Sequence, residues 1–207
     1  MEALSVEITV KSMTVRCCVA YGCQETDKIE RKKLFWNYLD YDVFQAKNKG
    51  SGFILHFDGN LWAGDKIIPG DKKTQNRNGF MFEQFLERHT HLTVVNSLSL
   101  CEGLITRMRM KQGKLEGSSL DFFVVCSRII PFVTKMVIDQ DRKYILTNYT
   151  QVRKGGNAID SDHFTQYMDV QLKYKNEKPV REHFFNLKNS ESQELFKKLT
   201  SNTNQFT

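Results

Sequence analysis

The chain is punctuated by short apolar runs of strand length, several of which meet an acidic or amide residue at one end. Phe53-Ile54-Leu55-His56-Phe57 stops at Asp58-Gly59-Asn60, and Leu92 to Val95 stops at Asn96. Leu120 to Cys126 is entered through Ser119 and carries Asp121 near its start. Runs this short, bounded by turn-forming residues, fit strands better than helices. Val6 to Val10 alternates, with Val6, Ile8 and Val10 on one face and Glu7 and Thr9 on the other, which predicts a half-buried strand. A second run, Val15 to Tyr21, closes at Gly22, so the two predict a hairpin. Leu104 to Met110, Lys135 to Ile138 and Lys143 to Leu146 read as further strands. Gly155-Gly156 opens a loop, and Gln166 to Tyr174 alternates as a closing strand.

Helical spacing interrupts this pattern. Thr26 or Asp27 is placed to cap a helix, with Glu30 near its third position. Ile29, Leu34, Phe35, Tyr38 and Leu39 supply its apolar side, and Lys28, Arg31 and Lys32 its solvent side. Asn78 can cap a second helix with Phe80, Phe82, Phe85 and Leu86 inward, and Ser190 to Leu199 reads as a short third. Strands mixed with a few helices predict a layered α/β (α+β) domain. With 207 residues and 40% hydrophobic content, the chain can bury one real core. Pro179 marks a boundary, giving a domain over 1–178 and a helical tail or linker over 179–207.

Five cysteines, odd in number and without a CxxC pair, argue against a zinc site or a disulfide framework. A reducing compartment follows, intracellular in the nucleus or cytoplasm. No apolar run reaches the roughly 18 residues of a membrane span, and Met1 to Glu7 lacks the basic and apolar parts of a signal peptide. A net charge of +6 favours a polyanionic partner, nucleic acid first.

Three polar motifs stand at strand ends: Asp58-Gly59-Asn60, Ser119-Leu120-Asp121 and Ser161-Asp162-His163. Strand ends of one sheet can converge on a single site while the strands keep it rigid. The chemistry suggested is metal-assisted phosphodiester hydrolysis, which needs hard oxygen ligands, a group to orient water, and donors for developing phosphate charge. Asp58, Asn60 and Asp162 are suitable oxygen or amide groups, and His163 can donate to a phosphate with Asp121 fixing its tautomer. Taken singly, an Asp or Asn after a strand more often serves the turn itself. Basic residues cluster twice, as Lys66, Lys72, Lys73 and Arg77, and as Arg107, Arg109, Lys111 and Lys114. They read equally as a path for a nucleic-acid backbone or as solvated surface diluted by Asp65, Asp71 and Glu116.

In order, Val19-Ala20-Tyr21-Gly22-Cys23-Gln24, His56-Phe57-Asp58-Gly59-Asn60, Ser119-Leu120-Asp121-Phe122 and Ser161-Asp162-His163 resemble the second half of the endonuclease/exonuclease/phosphatase (DNase I-like) superfamily, in its retroelement form. The resemblance covers roughly residues 5 to 175. It implies a DNase I-like layered β-sandwich flanked by helices, lacking its N-terminal half. It also implies Mg²⁺ or Mn²⁺ as cofactor, DNA or RNA as partner, no membrane, and a reverse-transcriptase module following the C-terminus. By the same resemblance Asp58 orients or activates water, Asn60 holds that water or the phosphate, and Asp162 assists the metal. His163 contacts the scissile phosphate with Asp121 as its carboxylate partner, Tyr21 contacts the phosphate or leaving group, and Thr106 is a supporting hydroxyl. Gln24 lies where the family places a nucleic-acid contact, while Lys72, Lys73, Arg77, Arg107, Arg109 and Lys111 of the two basic clusters are the candidate contacts to a nucleic-acid backbone.

The chain departs from the pattern at Phe57, where Gly is usual, at Gly59, where a bulky residue is usual, and at Cys23, where Pro is common. The family's upstream Asn and metal-binding Glu have no counterpart. Glu25 lies only one helix before Asp58 and reads as a loop residue. The expected function is DNA nicking, weak or absent in this chain by itself. The alternatives are a non-catalytic nucleic-acid-binding remnant and a phosphoesterase acting on another phosphate ester.

Overall fold

A computed structural model describes residues 2–10, 12–141, 151–152, 158–159 and 162–172. Within them run β1 (Glu2–Val10), β2 (Met13–Tyr21), α1 (Ile29–Asn48), β3 (Gly52–Asp58), α2 (Arg77–Arg88) and β4 (Leu92–Val94). There follow β5 (Cys101–Glu102), β6 (Arg107–Lys111), β7 (Lys114–Ser118), β8 (Asp121–Cys126), β9 (Val133–Ile138), β10 (Gln151–Val152), β11 (Ala158–Ile159) and β12 (Gln166–Val170). The expected strand at Lys143–Leu146, the Gly155-Gly156 loop, Ser161, the 178/179 boundary and the tail beyond it lie outside the described residues.

The principal sheet has the order β1-β2-β3-β8-β4. β1 and β2 form the hairpin, β2 and β3 run parallel with α1 as the connection, and β8 returns antiparallel to β3. A second sheet, β12-β9-β5, contributes Met136 and Ile138 to the same core, and β6-β7 is a separate hairpin. Both helices cover one face of the principal sheet, where the rings of Trp36, Phe57, Phe82, Phe85 and Phe122 pack at centroid distances of 5.2–6.1 Å. Side chains alternate along a strand, so this core face takes Phe57 and Phe122. The opposite face takes Tyr21, His56, Asp58, Asp121 and Phe123.

Local details differ from the sequence expectations for identifiable reasons. The buried stripe of α1 is Lys32, Phe35, Trp36, Leu39, Asp42, Val43 and Ala46, and Leu34 lies outside it. Lys32 is buried because its Nζ donates to the Glu25 carbonyl at 2.6 Å, tying down the loop before the helix. Among the described residues no side chain caps the start of α1. Asn76, rather than Asn78, caps α2, its Oδ1 accepting from Gly79 N at 2.9 Å. Asn78 turns inward instead, drawn by the carbonyls of Cys23 and Asn60. Phe80 is exposed, and so are Val6, Ile8 and Val10 of β1, which are not half-buried. The strand expected over Leu104–Met110 begins only at Arg107, and the closing strand ends at Val170. All five cysteines are free thiols.

Candidate active site

The register of three strands assembles the centre. Tyr21 pairs with Asp58 across β2 and β3, and Asp58 pairs with Asp121 across β3 and β8. The three side chains therefore stand in a row on the face away from the helices. His163 reaches the row from the segment before β12, in a bridge with Arg107. Its Nδ1 lies 3.0 Å and 3.2 Å from the two carboxylate oxygens of Asp121. Donor atoms of Asp58, Asp121 and His163 all fall within 4.8 Å of one another.

The loop after β3 is held by its backbone. Gly22 N donates to Asp58 O and Gly59 N to Leu120 O, both at 2.7 Å. A Cβ on Gly22 would stand 2.7 Å from Gly59 O and 2.9 Å from Asp58 O, so only glycine permits this approach. Asn60 sits in the left-handed region at φ 45°, a conformation Asn tolerates. Its amide N donates to Asp58 Oδ1 at 3.0 Å, and its Nδ2 donates to Gly22 O at 3.1 Å. Asn60 thus braces the turn and fixes one oxygen of Asp58. No hydrogen bond among the described residues reaches Asp58 Oδ2. Fully buried Thr106 supports Asp121, its Oγ1 accepting from Leu120 N at 2.8 Å and Asp121 N at 3.1 Å.

Burial and then the neighbouring Asp121 carboxylate raise the pKa of Asp58 above the usual carboxylate range, against the pull of the Asn60 amide, His163 and Arg107. The hydrogen bond to Asp121 raises the pKa of His163, more than burial lowers it. The shift favours the imidazolium, whose Nε2–H is suited to a phosphate oxygen. Because the folded-state pKa lies above the unfolded one, this contribution to stability is complete below the ordinary imidazole range. It is lost as pH rises through the elevated midpoint. In metal-free protein, Asp121→Asn is expected to lower the His163 midpoint in an NMR titration; an unchanged midpoint would show that the pair does not hold the proton.

Asp162 flanks the cluster. Its Oδ2 accepts from Arg107 Nε at 2.6 Å, and its Oδ1 lies 3.9 Å from His163 Nε2. Arg107 therefore stands in the site itself. Tyr21, paired with Asp58 across the strands, is half exposed, and its OH accepts from Gln24 Nε2 at 3.1 Å. Glu25 is not part of the cluster; its backbone carbonyl serves Lys32. Phe57 points into the helix-side core, so the departure from Gly at this position does not touch the site.

Of the basic residues, Lys66 pairs with Glu83, Lys73 and Arg109 both pair with Glu116, and Lys72 and Arg77 are exposed. The side chain of Lys111 lies outside the described residues. Two supporting residues were missed in the sequence. Asn96 brackets the backbone around Asp121, donating to Asp121 O at 3.1 Å and accepting from Phe123 N at 2.8 Å. The amide directly after a short strand was its signal. His56 stands two residues before Asp58 on the same face, and its Nε2 is buried without a partner. An open trough of about 740 Å³ on this face is lined by Leu4, Val19, Tyr21, His56, Asp58 and Asp121.

An oxygen-rich cation site fits this donor set. Two carboxylates stand side by side, one of them desolvated and with an oxygen not otherwise engaged, and a divalent ion would relieve their repulsion. No family model matches the chain, and no curated protein does. Solved structures do. The endonuclease domain of TRAS1, a telomere-specific non-LTR retrotransposon, matches with a TM-score of 0.56 and 18% identity, over 83% of this chain and 64% of that one. A 3′-5′ exonuclease from Neisseria meningitidis matches at 0.55 and 15%, over 81% and 64%. An endonuclease/exonuclease/phosphatase family protein from Leptotrichia buccalis matches at 0.50 and 15%, over 83% and 54%. The chain spans less than two thirds of the length of each. The layered α/β fold of this chain is therefore the DNase I-like fold of the endonuclease/exonuclease/phosphatase proteins.

Proposed function

We propose that the chain carries the C-terminal half of a divalent-metal-dependent phosphodiesterase site, and that its substrate is DNA, nicked as by a retroelement endonuclease. The observation that carries this reading is the convergence of Asp58, Asp121 and His163 within 4.8 Å at the ends of strands that the sequence separates widely. The likeness to a retrotransposon endonuclease domain supports the choice of substrate.

Asp58 and Asp121 would hold the cation, with Asp162 beside them. When bound, the cation would neutralise phosphate charge and lower the pKa of a coordinated water. Asp58, whose pKa burial raises, is suited to accept a proton from the attacking water. His163, oriented by Asp121, would donate to a non-bridging phosphate oxygen, and Tyr21 would face the phosphate or leaving group. Arg107 keeps Asp162 in place and presents the remainder of its guanidinium to an anion. Lys72 and Arg77 would follow the nucleic-acid backbone at the periphery.

Hydrolysis by residues 1–207 alone is expected to be slow. Asp121 also orients His163, and Asp162 keeps one oxygen on Arg107, so the three carboxylates offer a cation few free oxygens. The test is relaxation of supercoiled plasmid at protein excess with Mg²⁺ or Mn²⁺, beside hydrolysis of a simple phosphate monoester. Divalent-dependent relaxation, abolished by chelation, is the expected result. Hydrolysis of the monoester alone would redirect the reading to another phosphate ester. DNA binding with neither activity would make the chain a non-catalytic remnant.

A further inference from the structure

The loop that leaves the site carries an indole into solvent. Trp62 stands shortly beyond Asp58 and is 38% exposed, although Leu61 before it is fully buried. The backbone here is fixed. Leu61 packs on Gly59, where a Cβ would stand 2.7 Å from its Cδ2. Trp62 N donates to Asn76 Oδ1 at 3.1 Å, and the Trp62 carbonyl lies so close to Gly79 that only glycine fits there. The first turn of α2 is tied to the same loop, because Asn78 donates to the Asn60 carbonyl at 3.1 Å. That turn presents Phe80, 53% exposed, and the exposed Arg77.

Cations are set among these rings. Lys73 Nζ stands 5.6 Å from the centre of the Trp62 ring. Lys73 and Arg109 share the carboxylate of Glu116, so this junction with the β6-β7 hairpin keeps an excess of positive charge. Lys72 and Arg77 have no ion pair among the described residues. Exposed aromatic faces among cations suit a single nucleic-acid strand, whose bases stack on the rings while its phosphates meet the charges. A duplex keeps its bases stacked on each other, so it can use the cations but not the rings.

We propose that Trp62 and Phe80 are a stacking platform for an unpaired stretch of nucleic acid beside the bond to be cleaved, with Lys72, Lys73 and Arg77 along its phosphates. This rests on the reading of the centre as a site for a nucleic-acid phosphodiester, and it narrows the substrate to a strand that is single, or opened, on that side of the site. The fixed backbone contributes to affinity, because an indole already held in place loses little freedom on binding.

Binding measured in the presence of a chelator tests it without any hydrolysis. An oligothymidylate of about ten nucleotides, on the order of one single-strand binding site, is compared with a blunt-ended duplex. The oligothymidylate should quench tryptophan fluorescence; the chain has two tryptophans, and Trp36 is buried in the ring cluster. Trp62→Ala should weaken oligothymidylate binding about tenfold or more, the usual effect of removing a stacking ring. Duplex binding should change by less than about threefold, since phosphate contacts carry it. Trp62→Phe, which keeps a ring, should retain most of the affinity, and Tyr41→Ala, at an exposed aromatic on α1, should change nothing. Should Trp62→Ala lose its circular dichroism signal, quenching in the wild type decides. Absence of quenching at saturation, or equal loss of both ligands in Trp62→Ala, would overturn the proposal while duplex binding leaves the nucleic-acid reading in place. Binding of neither ligand would overturn both.

Discussion

Asp58→Ala and His163→Ala are each expected to lower divalent-dependent plasmid relaxation by more than about a hundredfold, the usual cost of removing a positioned acid/base group or an electrostatic donor. The two losses have different origins. Asp58 supplies the carboxylate whose Oδ2 is not otherwise engaged, so its removal should weaken dependence on the metal as well as the rate. His163 supplies a proton held by Asp121, so its removal should leave metal affinity largely in place and lower the rate. The double variant should be little worse than either single one, because groups that act as a unit are not additive. Single-turnover measurement at protein excess is the proper readout. Retention of wild-type rate in either variant would remove that residue from the chemistry.

Phe82→Ala is expected to cost about 3–5 kcal/mol of folding stability, in the range for deleting a buried aromatic ring. Phe82 is fully buried where α2 meets the sheet. Its ring lies 5.9 Å from Trp36, 5.2 Å from Phe57 and 5.3 Å from Phe122, so one truncation empties the centre of a four-ring cluster. Phe57 and Phe122 are next in sequence to Asp58 and Asp121. Loss of the ring should therefore loosen the site along with the core. Denaturant unfolding measures the cost directly. A change below about 1 kcal/mol would mean that the neighbours collapse into the space, which close packing does not favour.

Much of the fold was legible in the sequence because strand periodicity and turn residues are local signals. β2, β3, β8 and β9 fall within a few residues of where alternation and apolar runs put them. The row Tyr21, Asp58 and Asp121 was legible by order and by a family pattern, but its geometry comes from register, which no single strand encodes. What failed was decided by tertiary contacts. Lys32 looks like a solvent-facing lysine until the Glu25 carbonyl claims its ammonium. Asn78 looks like a cap until two carbonyls draw it inside and Asn76 takes the cap. Arg107 reads as one of a run of surface cations, yet Asp162, 55 residues later, holds it in the site. Val6, Ile8 and Val10 have the alternation of a half-buried strand, but nothing among the described residues covers them.

The central claim is that Asp58 and Asp121 form one cation-binding centre, with His163 beside it as the phosphate donor, able to act on a phosphate ester. Titration of the metal-free chain with Mn²⁺, followed by electron paramagnetic resonance, tests it most directly, with Asp58→Asn measured in parallel. The account predicts a single Mn²⁺ site in the wild-type chain that is lost in Asp58→Asn, while both proteins keep the same fold by circular dichroism. Absence of a stoichiometric site in the wild type, or a site that survives Asp58→Asn unchanged, would contradict it.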